Sequence, residues 1–135
     1  MTRINCIPPA ELTTPHLVAE YRELPRIFGL VRAAIARGEG PGDPRNPGDY
    51  RLGPGHVRFF YPRLGWLARR QAALVAEMQA RGHAPAFTDP WGLIEGIPAD
   101  WCGDWTPTPA AMALNRARIA ERLAAVKASR PGAGD

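Results

Sequence analysis

Leu17, Tyr21, Leu24, Phe28, Val31 and Ile35 recur four and three positions apart, the spacing that lays apolar residues along one side of an α-helix. The pattern predicts a helix over 14–38, capped by Thr13 or Thr14 with Pro15 in its first turn and closing at Gly38. Pro25 falls inside it and has no N–H to offer the Tyr21 carbonyl, so a kink or a split into two short helices is expected. Leu64, Leu67, Leu74, Val75 and Met78 predict a second helix over 62–82, with Pro62 starting it and Gly82 ending it. Met112, Ile119, Leu123 and Val126 face inward in a third over 108–127, capped by Thr108 with Pro109 in the first turn.

The stretches between are irregular. Residues 38–55 hold six Gly and four Pro, which excludes regular structure and predicts a loop either wrapped on the core or functional. HVRFFY at 56–61 reads as a short strand or a buried anchor. Residues 83–107 carry Trp91, Trp101 and Trp105, which are expected to pack firmly, and 128–135 is expected to fray. The reading is an all-α, compact three-helix single domain spanning 1–135, with long irregular connections.

At 135 residues the chain is long enough to bury one core. It has no apolar run of membrane-spanning length and its polar start is unlike a signal peptide, so a cytoplasmic protein without a membrane partner is expected. Cys6 and Cys102 are far apart and outside any CxxC pair, and the three histidines are scattered, so structural thiols and no metal site are expected. The net charge of +4 is unevenly spread: residues 51–83 carry six arginines against Glu77 alone. A basic surface toward a polyanion fits that asymmetry, beside the plainer reading of a mildly basic helical protein.

Opposite the apolar stripe of the first helix lie Ala19, Arg22, Arg26, Gly29 and Ala33, with His16 and Glu23 on the flank two turns apart. Small residues admit a bulky partner and arginines favour an anionic one, so this face suits a phosphate backbone; an ordinary solvated face is the alternative.

The segments MTRIN, HLVAEYRELPRIFGLVR at 16–32, GHVRFFY at 55–61 and LARRQAALVAEMQARG at 67–82 resemble the bacteriophage-type pyrimidine-dimer DNA glycosylases, the endonuclease V family of ultraviolet repair. The likeness continues in IPADWCGDWTP at 97–107 and NRARIAERL at 115–123. The resemblance implies one α domain whose N-terminal arm threads between two helices into a DNA-binding concavity. It further implies a glycosylase with AP lyase activity on damaged double-stranded DNA, a nucleoid-associated monomer that needs no cofactor. Its nucleophile would be the α-amine of Thr2 once Met1 is trimmed, and its catalytic carboxylate Glu23. Arg3, Arg22 and Arg26 match the family's phosphate-binding arginines, His16 a supporting histidine, and Arg118 and Arg122 basic residues that hold DNA. The final segment VKASRPGAGD lacks the aromatic tail linked to dimer recognition, which leaves pyrimidine dimers, damaged purines and abasic sites as candidate lesions.

The chemistry suits these residue types. A terminal amine has a reference pKa of about 7.7 to 8.0, so at neutral pH a useful fraction is unprotonated where almost no lysine is. An amine can form an imine at C1′, and a carboxylate can steady the positive charge that develops on the sugar. Two other readings remain: a non-catalytic basic helical DNA-binding module, and a hydrolase using the Thr2 hydroxyl, for which the sequence offers no supporting context.

Overall fold

The computed structural model describes residues 4–129, which fall into two units. Thr2 and Arg3 lie outside the described residues, as do 130–135 of the tail. The larger unit joins residue 4 to 8–106 and the smaller joins 5–7 to the segment from 107. The described residues form helices and turns without a strand, so the chain is all-α.

In the larger unit, α1 spans Thr14–Glu23 and α2 Arg26–Ala36. Thr13 caps α1, its hydroxyl accepting the His16 N–H at 3.4 Å, with Pro15 in the first turn. At Pro25 the expected helix divides in two: the Leu24 N–H closes α1 on the Glu20 carbonyl at 2.9 Å, and the next bonds, Ile27 to Leu24 and Phe28 to Pro25, are one residue tighter. The Tyr21 carbonyl, which the proline cannot serve, accepts instead from the Gln71 side chain at 3.1 Å. Gly38 ends α2 at φ +87°, with the Gly38 and Glu39 amides returning to Ile35 and Ala34.

Residues 38–55 wrap against the core. Glu39 gathers Arg37, Arg45 and Arg58 at 2.9, 3.3 and 3.1 Å, and Arg45 also holds Asp43. Covering raises the Glu39 carboxyl, but the Arg37 and Arg58 hydrogen bonds outweigh it and the net shift is downward. Asp43 is held well below its usual value by side-chain and backbone bonds to Arg45. HVRFFY forms a helical turn, α3 over His56–Phe59, entered through Gly55 at φ +87°; Phe59 and Phe60 are buried, so of the two expectations it is the anchor.

The second long helix, α4, spans Leu64–Ala80. It starts two residues after Pro62 because Arg63 is engaged in an antiparallel bridge with Cys102. There the Gly103 N–H reaches the Pro62 carbonyl and the Trp66 N–H the Gly103 carbonyl, both at 3.1 Å. A Cβ on Gly65 would stand 2.7 Å from the Cys102 oxygen, and one on Gly103 2.5 Å from the Pro62 oxygen, so both positions need glycine. Trp101 is buried, and Trp105 stacks on Tyr50 at 5.7 Å with Phe59 and Trp66 edge-on. Trp91 departs from expectation: on the short turn Pro90–Ile94 only Pro90 is buried, and Trp91 is 51% exposed.

The smaller unit contains α5, Pro109–Ser129, with Thr108 capping it through the Ala111 N–H at 3.0 Å. Its inward face differs from the apolar pattern. Ala111 and Asn115 are buried and Met112 and Ile119 half-buried, while Leu123 and Val126 are 43% and 59% exposed. A polar residue takes the centre because it serves the backbone of 5–7. The Asn115 oxygen accepts the Cys6 and Ile7 amides at 2.7 and 3.3 Å, and its amide nitrogen donates to the Asn5 side chain at 2.8 Å. Neither cysteine is in a disulfide. Burial, then the nearby Asp100, pushes the Cys102 thiol up, which disfavours the reactive thiolate.

Candidate functional site

The junction between α1 and α2 concentrates the chemistry. Arg22 and Glu23 are the last two residues of α1 and Arg26 is the first of α2, so the proline break itself sets them side by side. The Arg26 guanidinium donates to the Glu23 carboxylate at 3.0 Å, with side chains 68% and 29% exposed. Glu23 is thus a half-covered carboxylate held at one side by a cation. Arg22 is exposed and has no ion-pair partner among the described residues, which leaves its five donors to an incoming anion. His16 sits two turns before Glu23 on α1, half-buried.

What holds this junction is polar and buried. Glu20, one turn before Glu23, receives a two-pronged bond from Arg70 of α4, Nε at 2.7 Å and Nη2 at 3.0 Å. Gln71, beside Arg70, holds the Tyr21 carbonyl, and the Tyr21 hydroxyl accepts the Phe87 N–H at 2.8 Å and donates to the Phe87 carbonyl at 3.3 Å. Tyr21, adjacent to Arg22, is therefore fixed at both its backbone and its phenol.

Ile4 is the first described residue after Thr2 and Arg3, and it is fully buried. Its N–H donates to His56 Nε2 at 2.8 Å and its carbonyl accepts from the Tyr50 hydroxyl at 3.1 Å. The remaining sequence candidates stand on α5: Arg118 pairs loosely with Glu121 at 3.6 Å, and Arg122 is exposed one turn on.

Glu23, Arg22 and Arg26 are thus brought together, with His16 on the same helix, while Arg118 and Arg122 belong to the smaller unit. Sequence reasoning missed Glu20, Arg70, Gln71, Tyr50, His56 and Asn115. For the first three there was a signal, because each is a polar residue on the edge of an apolar stripe. Among the described residues, no group of three or more His, Cys, Asp or Glu could hold a metal, and no helix is long and apolar enough to cross a membrane.

A family model described as pyrimidine dimer DNA glycosylase matches residues 1–90. The matched stretch contains the whole α1–α2 junction, Arg70 and Gln71, and both residues that hold Ile4.

Proposed function

The chain belongs to the pyrimidine dimer DNA glycosylase family, and from that footing we propose that it removes a damaged base through an imine with the Thr2 α-amine and then nicks the strand by β-elimination. Family membership makes it a DNA-repair glycosylase with DNA as its substrate. The observation that supports the finer reading is the junction, where one partly open carboxylate lies among two exposed arginines.

In this scheme Arg3, Arg22 and Arg26 grip phosphates around the lesion, with His16 beside them and Arg118 and Arg122 adding contacts from α5. Base flipping at a poorly stacked lesion takes only a few kcal/mol, which favours damaged sites before any base is read. Glu23 steadies the sugar as the glycosidic bond breaks and positive charge develops. The unprotonated amine bonds to C1′ as the base leaves with the glycosidic bonding pair and takes up a proton; the C1′–O4′ bond then opens, O4′ gaining a proton, as the nitrogen gives up its protons and the imine forms. The imine acidifies the 2′ hydrogen; Glu23 or a water takes that proton, and the electron pair expels the 3′ phosphate. The scheme uses no metal and no organic cofactor. Pyrimidine dimers are the lesion proposed first, with the protein acting as a monomer on nucleoid DNA.

Borohydride reduces such an imine to a stable crosslink. The protein should be trapped on abasic-site duplex, and an uncleaved N-terminal extension should abolish trapping. Glu23→Gln should keep DNA binding and lose most strand cleavage. Trapping that survives a blocked terminus would overturn the Thr2 assignment and leave a different amine, or a binding module, to be considered.

A further inference from the structure

We propose that Tyr50 and His56 are positioning residues for the reaction at the N-terminus, acting through the backbone of Ile4. The proposal rests on the Thr2 reading, since it concerns how that amine is aimed.

Every backbone polar group of Ile4 is held by a side chain of the larger unit: its N–H by His56 Nε2 at 2.8 Å and its carbonyl by the Tyr50 hydroxyl at 3.1 Å. Accepting from an amide requires Nε2 to carry no hydrogen, so the proton sits on Nδ1, where it meets the Arg51 carbonyl at 2.8 Å. Both bonds are met by the same neutral tautomer. The Tyr50 ring stands edge-on to His56 at 5.6 Å and to Phe59 and Phe60 at 5.9 and 6.1 Å, and stacks on Trp105. His56 also lies edge-on to Phe60, and all three residues of the grip are buried. Both side chains are buried among aromatic rings, which restricts their freedom to follow a displaced Ile4.

The backbone nitrogen of Thr2 is two residues from that of Ile4, a covalent reach of at most about 7 Å. A fixed point that close limits where the amine can go, and a reacting atom misplaced by about 1 Å can lose about a hundredfold in rate. A buried anchor that only stabilised the fold would alter the unfolding midpoint and leave single-turnover chemistry of the folded fraction unchanged. An anchor that aims the amine would slow imine formation while DNA binding stays.

The test is the rate of borohydride trapping on abasic-site duplex at saturating DNA, measured beside DNA affinity and thermal midpoint for full-length variants. His56→Gln places an amide oxygen where Nε2 stood and can still accept from Ile4; His56→Asn reaches only the Nδ1 position and cannot. Tyr50→Phe deletes one hydroxyl and leaves the aromatic packing intact. Trapping should slow about tenfold or more in His56→Asn and Tyr50→Phe, with affinity within about twofold, and His56→Gln should recover most of the rate. Wild-type rates in His56→Asn and Tyr50→Phe, or a loss matched by an equal loss of affinity, would overturn the proposal. Wild type carrying a blocked terminus separates the two ideas: if it still traps, the Thr2 reading fails, and if it does not while the variants trap normally, only the positioning role fails.

Discussion

Replacing Arg70 by methionine tests how the C-terminal end of α1 is held. Arg70 and Glu20 are almost wholly buried and share two bonds of 2.7 and 3.0 Å. Removing the guanidinium takes from a carboxylate in the interior the two bonds it draws from Arg70, a change that destabilises by about 3–5 kcal/mol. Entropy of unfolding scales with length, and for a chain of this size that loss corresponds to a fall in thermal midpoint of about 10–18 °C. The matching double variant, Glu20→Leu with Arg70→Met, exchanges both charges for apolar groups of similar size. It should recover to within about 2 kcal/mol of wild type, because the large single-variant loss is that of a buried charge deprived of its Arg70 bonds and not the worth of the pair. Urea and thermal unfolding followed by circular dichroism and by tryptophan fluorescence would measure all three, with coincident curves required before free energies are taken. An Arg70→Met loss below about 1 kcal/mol, or a double variant as unstable as the sum of its singles, would refute the reasoning.

Three further outcomes are expected. Gly103→Ala should lower the urea midpoint by the equivalent of about 1–3 kcal/mol, since its Cβ would meet the Pro62 carbonyl at 2.5 Å and that oxygen is bonded in the bridge; an unchanged midpoint would refute the close approach. Glu39 is held below its ordinary value of 4.5, so its contribution is fully present above that pH and is lost as pH falls through the lower folded value. The stability advantage of wild type over Glu39→Gln should therefore be seen at pH 7 and shrink below about pH 4.5, and an advantage that grew on acidification would contradict the sign. If Arg3, Arg22, Arg26, Arg118 and Arg122 all contact phosphates, log affinity for duplex should fall against log salt with a slope of about −4 to −5, and a flat response would exclude a backbone-tracking surface.

The helices were legible because their signals are local. Thr13 and Thr108 cap, Gly38 and Gly82 terminate, and of the stripes Leu17, Leu24, Phe28 and Val31 and then Leu64, Leu67, Leu74, Val75 and Met78 are buried, with Tyr21 and Ile35 half-buried. Pro25 announced its own break. Illegible from one sequence were the bonds that close over distance. Nothing around Asn115 marks it as the partner of residues 5–7, and an apolar rule assigns its helix face to Leu123 and Val126 instead. Trp91 failed for the opposite reason, since a large aromatic was assumed to be buried where only Pro90 is. At the site, residue types along α1 pointed to Arg22, Glu23 and Arg26, but the side chains that fix their setting come from α4, about fifty positions away. Glu20 and Arg70 were visible as charges at apolar spacing; that they pair with each other is a tertiary fact.

The bonds of Asn115 also set an order of assembly. The side chain that meets residues 5–7 is made about 110 residues after them. At the usual 5–20 residues per second, that is an interval of about 5–20 s in which the Asn115 side chain is not yet there to meet them. Ile4 finds Tyr50 and His56 sooner, 46 and 52 positions on, whereas the Asn115 bonds to the residues after it wait for about 110. An enzyme that acts on the chain near these residues has those seconds before the Asn115 bonds can close.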